Sequence, residues 1–155
     1  MINPVDRYRR WVFLWLCGLV AMVVAMVVVG GLTRLTQSGL SMVEWRPLMG
    51  VIPPLGEEAW LEVFGKYKQY PEYRKLNTGM SLEDFKRIFW FEYGHRMLGR
   101  SIGLAFLLPF VLFCFLRAIP LSRLPLLLLL FSLGGLQGII GWWMVKSGLI
   151  DRPDV

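Results

Sequence analysis

The sequence predicts an all-α membrane protein: three transmembrane helices, with a structured outer loop between spans one and two. Three observations carry that prediction. First, the apolar residues are blocked, not spread: 11–30, 101–116 and 124–145 contain no charged side chain. At 1.5 Å per residue, runs of this kind are long enough to enter or cross a hydrocarbon core of roughly 30 Å. Second, 55% of the 155 residues are hydrophobic and only 18% charged, with a mean hydropathy of +0.52. A soluble globular domain, a disordered chain and a disulfide-stapled fold are excluded on those figures. Third, the net charge of +6 is concentrated beside the apolar blocks. Membrane topology therefore explains it better than nucleic acid, and no nucleic-acid partner is expected.

Taken in order, residues 1–10 form an N-terminal segment with Arg7, Arg9 and Arg10, and 11–31 the first span. Residues 32–87 form a loop, 88–116 the second span, and 117–123 a short link with Arg117 and Arg123. Residues 124–145 form the third span, followed by 146–155. Basic density in the two short segments is about twice that in the loop, which places them in the cytoplasm. The loop and the C-terminal end then lie outside. A cleaved signal peptide is the competing reading of 1–36, but the apolar run is too long and no small-residue cleavage site follows. A bacterial inner membrane fits better than an imported organelle protein. Cys17 and Cys114 sit within spans with no CxxC pattern, and read as buried apolar filler.

The loop is not linker-like. It contains Trp45, Trp60 and the Pro53-Pro54 pair, and from Glu57 to Lys68 places Trp60, Leu61, Phe64 and Tyr67 at helical spacing. That pattern predicts a short amphipathic helix on the membrane surface or against the bundle. Ser81 can cap the next helix, with Glu83 and Asp84 suited to its first turn. One long helix is predicted from about 82 to 116. Only 101–116 is free of charge, so the span begins near residue 96 or 97. Glu92, His95 and Arg96 then stand at or just inside the outer membrane boundary.

Ionisable groups at that depth usually face a bundle interior with a partner and a task. Glu92 and His95 are three apart and share a helix face, while Glu92 and Arg96, four apart, can pair. Gly99 and Gly103 follow as a GxxxG that removes side-chain bulk beneath the imidazole. A haem with His95 as axial ligand would fit such a face, with Arg96 and Arg100 available for its propionates. An interfacial ion pair, a hydrogen-bonding histidine and plain helix packing explain the same residues. A single His cannot fill both axial positions, and neither a zinc motif nor a nucleophilic triad is present. In the third span, Gly134 and Gly138 form a second GxxxG, whose usual meaning is tight helix association.

Four stretches together resemble the haem A synthase family: GGLTRLTQSGLSMVEWRPLMGVIPPL (30–55), FKRIFWFEYGHRMLGRSIG (85–103), LQGIIGWWMVKSGL (136–149) and PEY (71–73). The resemblance implies oxidation of the C8 methyl of haem O to a formyl group, giving haem A for cytochrome oxidase. It implies eight spans in two four-helix halves, each with a pair of haem-facing histidines, so that three spans here belong to what would be a four-helix half-bundle. On it, His95 is a haem iron ligand, Glu92 the glutamate of the oxidation, and Arg96, Arg100 and Gly99 pocket residues. It further implies haem b as cofactor and haem O as substrate, without saying which this half binds. Haem O synthase and an electron donor are implied partners, beside membrane lipid and a homo-oligomer. Some members carry a cysteine pair in the first outer loop, which this loop lacks. The sequence is expected to be the N-terminal part of such an enzyme, completed by a C-terminal half, and inactive alone. A non-catalytic membrane subunit packing through its GxxxG faces is the rival.

Overall fold

The computed structural model describes residues 3–44 and 49–150. Trp45 and residues 151–155 lie outside them. Among the described residues every regular element is helical: α1 (Pro4–Leu35), α2 (Glu57–Tyr67), α3 (Pro71–Lys75), α4 (Leu82–Phe115) and α5 (Leu124–Ile150), with short 3-10 turns at Met49–Val51 and Leu121–Arg123. Three helices are long and apolar enough to cross a membrane. The chain divides into two compact units. One comprises Met1–Val27 and Leu98–Ile139, the other Val28–Met97 and Ile140–Val155.

The first unit is apolar. Its core is Phe113, Ala118, Ile119 and Leu127, flanked by Tyr8, Val12 and Trp15 of α1. Pro109 lies inside α4. Proline has no amide hydrogen, so the carbonyl four residues earlier, that of Ala105, loses its helical partner. The Trp15 indole supplies one, donating to the Ala105 carbonyl at 2.7 Å. The same ring packs against Phe106 and Phe113, with centroids 5.5 Å away in each case. A helix break is thus repaired from the neighbouring helix, as hydrocarbon surroundings require. Gly99 in this unit makes room for Met26, whose methyl would lie 3.3 Å from a Cβ at that position.

Two details correct the sequence reading. Cys17 is exposed on α1, and only Cys114 is partly buried, beside the apolar core. At Gly134 and Gly138 an added Cβ would meet nothing within 4 Å, so among the described residues this GxxxG packs against no helix. Residues 131–140 of α5 are exposed on every side. The physical reason is that small residues permit close approach but supply little contact area to enforce it.

The second unit is a cap of short helices on the start of α4. Trp60, Phe64 and Tyr67 are the buried face of α2. They pack with Phe85 and Phe89 of α4 and with Met42 and Val43 of the preceding loop. Leu61, which the helical spacing also assigned to the apolar face, is 53% exposed. Ser81 caps α4: its hydroxyl accepts from the Asp84 amide at 3.2 Å and donates to the Asp84 carboxylate at 2.6 Å. Outside the core, Lys66 bridges Glu44 and Glu62 at 2.7 Å each. Those two carboxylates raise the ammonium above its ordinary range.

Both α1 and α4 end in the same hydrogen-bond pattern. Ser38 N–H bonds Thr33 C=O and Gln37 N–H bonds Arg34 C=O; Ala118 and Arg117 repeat this with Phe113 and Cys114. This is the Schellman closure, which requires a left-handed residue. Here Gln37 (φ 50°) and Arg117 (φ 51°) fill the position usually taken by glycine.

Candidate functional site

The register of α4 decides where its charges go. Phe85, Phe89 and Glu92 recur at four and three residues, and all three are buried. The aromatic stripe that docks α4 beneath the loop therefore carries Glu92 to the same covered face. A buried carboxylate needs donors, and the loop provides them. Ser41 hydroxyl donates to Glu92 Oε2 at 2.7 Å, and the Met42 amide to the same oxygen at 2.6 Å. Arg96, one turn on, donates to Glu92 Oε1 and, at 2.9 Å, to the Met42 carbonyl. Glu92 and Arg96 are 2% and 9% exposed at their side chains, so this is a buried, hydrogen-bonded ion pair. It fastens the polar turn after α1 onto α4.

The turn is built for that job. Its entry is the Schellman closure at Gln37, where Ser38 hydroxyl also donates to the Thr33 carbonyl at 3.1 Å. Thr33, Ser38 and Ser41 are all buried. Sequence reasoning missed these residues as partners of Glu92. The available signal was a polar stretch, 36–41, immediately after an apolar span.

His95 points elsewhere. A Cβ added to Gly30 of α1 would lie 3.3 Å from His95 Nε2, so the absence of a side chain there is what gives the imidazole nitrogen room. The imidazole forms no hydrogen bond among the described residues. The glycine against His95 is thus Gly30, which the spacing argument along α4 could not find. Gly99 and Arg100 belong to the first unit, apart from Glu92, His95 and Arg96 in the second.

On another side of Arg96, a cavity of about 330 Å³ is lined by Met42, Val43, Arg96, Trp142, Val145, Lys146 and Leu149. It is apolar apart from Arg96 and Lys146. The Lys146 ammonium stands 5.1 Å from the centre of the Trp142 ring. An amphiphile with an acidic end is the chemistry that matches such walls. Lys146 was not singled out from the sequence, where it reads only as the first charge after the third span.

Among the described residues no group of three or more His, Cys, Asp or Glu could hold a metal ion by itself. The donor on offer is the His95 imidazole, whose Nε2 lies against Gly30 of α1. An imidazole is a donor that haem iron takes.

The family model for cytochrome oxidase assembly protein matches residues 13–155. A haem A synthase of Parvibaculum lavamentivorans is 53% identical over 154 residues, covering 99% of this chain and 45% of that protein. Haem A synthases of Nitrosospira multiformis and Cereibacter sphaeroides are each 57% identical, over 147 and 141 residues, covering 95% and 91% of this chain. The chain spans less than half the length of these curated relatives. No solved structure matches it.

Proposed function

The chain belongs to the cytochrome oxidase assembly protein family, and from that premise we propose that it is the N-terminal, haem-facing part of a haem A synthase. The complete protein would oxidise the C8 methyl of haem O to a formyl group, giving haem A for cytochrome oxidase. It would do so in a bacterial inner membrane, with the N-terminus cytoplasmic. The observation that carries the reading is His95 Nε2, uncommitted and facing Gly30, on the same helix turn as a buried Glu92–Arg96 pair.

When bound, a haem supplies the one-electron and oxygen chemistry that an unreactive methyl C–H demands, with electrons from an outside reductant. His95 would hold the haem iron through its imidazole, and it is the one His of these 155 residues. Arg96 and Lys146 would hold the acidic side chains of the macrocycle. Haem b as cofactor and haem O as substrate present the same carboxylates and the same iron to these residues. Glu92 is assigned as the charge-stabilising group near the methyl being oxidised. Its two oxygens accept three hydrogen bonds, so it acts as a fixed negative charge that needs no reorganisation. Haem O synthase as the source of substrate and a separate electron donor complete the scheme. With one of the needed histidines, the 155 residues alone are expected not to convert haem O.

The test is optical. The purified chain in detergent, titrated with haem b, should develop a Soret band that His95→Ala weakens. A band of equal strength in the variant, or none in either protein, overturns the assignment of His95; the latter result is what a purely scaffolding subunit would give.

A further inference from the structure

The chemistry proposed above leaves one buried acid unused. Glu72, in the first turn of α3, is 3% exposed, and its Oε2 has no hydrogen-bond partner. The Tyr67 hydroxyl of α2 lies near its carboxyl and favours the ionised form. Tyr67 is itself fully buried and accepts from Asn77 Nδ2 at 2.7 Å. Around this cluster stand the rings of Phe64, Tyr73 and Phe85.

The charges near it offer no neutralisation. Glu92 of α4 acts on both Glu72 and Tyr67, and adds to the cost of a second negative charge. The nearest cation to the rings is Lys68, whose ammonium sits over Phe64 at 4.2 Å and Tyr73 at 5.9 Å. No cation pairs with Glu72 among the described residues. An ionised carboxylate in that position would keep one oxygen without a protein donor or counter-charge, which is among the more costly arrangements in a protein interior.

We propose that Glu72 is a proton-holding group that makes the cap pH-sensitive: α2 and α3 close over a neutral carboxyl and open when that carboxyl ionises. Burial first and Glu92 second push the acid up to about 8, against the opposing pull of the Tyr67 hydroxyl. Burial raises the Tyr67 phenol as well, so it stays protonated throughout. In the open cap Glu72 returns to its ordinary value of 4.5. Between 4.5 and about 8 the closed form holds the extra proton, so rising pH favours opening, about tenfold per pH unit. Below that window and above it the acid adds no further dependence. Because Met42 and Val43 share the aromatic core with Tyr67, opening the cap would also uncover the loop that holds Glu92. The inference does not depend on the haem reading.

The experiment compares the full chain with Glu72→Gln in detergent, following amide exchange of residues 57–80 at matched pH. The ratio of wild-type to variant opening should rise about tenfold per pH unit from about pH 5 and level off above about pH 8. A ratio that stays flat across that range overturns the proposal. Infrared spectroscopy of the wild type provides a readout that survives a variant failing to fold. A protonated-carboxyl C=O band should be present at neutral pH and disappear at alkaline pH. In Tyr67→Phe, which removes the hydroxyl favouring the ionised form, the band should persist to higher pH. Its absence from the wild type at neutral pH overturns the proposal.

Discussion

In the unit made of Met1–Val27 and Leu98–Ile139, the Ala105 carbonyl lacks its helical donor because of Pro109, and the Trp15 indole supplies one. In the unit made of Val28–Met97 and Ile140–Val155, the covered groups include two carboxylates, a guanidinium, the Thr33 hydroxyl at the end of α1 and the Ser38 and Ser41 hydroxyls of the turn after it. Glu92 among them accepts from three donors. The difference teaches where to look for chemistry. Burying a charge is costly enough that its donors must be built in, and such a site is then rigid and polarised. Apolar packing of the first kind needs only complementary shape. The cavity, the free imidazole nitrogen and the buried acids all lie in the second unit.

Three substitutions sharpen that contrast. Glu92→Ala should have the largest effect, about 3–5 kcal/mol of destabilisation, because Arg96 is left buried without its counter-charge. Thermal unfolding in detergent measures it, and proteolysis of the 36–44 loop should report the released turn. A loss no greater than that from Trp15→Phe would erase the distinction between the units. Trp15→Phe itself should cost about 1–3 kcal/mol by leaving the Ala105 carbonyl without a donor. In a Pro109→Ala background the helix can supply that donor, so the hydrogen-bond part of the Trp15→Phe cost should vanish in a double-mutant cycle. Smallest are the helix ends. Gln37→Gly and Arg117→Gly should each stabilise the protein, by about 0.5 kcal/mol, since glycine adopts the left-handed conformation without the Cβ penalty. Equal shifts at the two positions would mark the closures as independent of the surroundings in which the units differ.

Much of this was legible in the sequence, for a reason visible in particular residues. The long helix predicted from about 82 to 116 is observed as Leu82–Phe115, and the loop helix as Glu57–Tyr67. Periodicity and capping are local properties, so Ser81 and the Trp60, Phe64, Tyr67 spacing announce themselves. The Glu92–Arg96 pairing was likewise available from a separation of four. Partners distant in sequence were not. Ser41 and Met42 are 51 and 50 residues from Glu92, and Trp15 is 90 from Ala105. Gly30 against His95 belongs with them. At Gly134 and Gly138 the spacing marks a face able to pack without naming a neighbour, and among the described residues none packs there.

By itself, then, the sequence determined the features that composition and neighbours along one helix dictate: three apolar spans, an amphipathic cap helix, and a helix carrying Glu92, His95 and Arg96 in fixed register. They depend on a 3.6-residue repeat and on the cost of charge in hydrocarbon, both readable without coordinates. Only the tertiary structure decided what surrounds each of those groups. It gave Glu92 its three donors, gave His95 a nitrogen cleared by Gly30, brought Lys146 to the cavity beside Arg96, and left Glu72 with an unpartnered oxygen. The reason is that the free energy of a buried polar group is set by the atoms that replace its water, and those atoms arrive from distant parts of the chain.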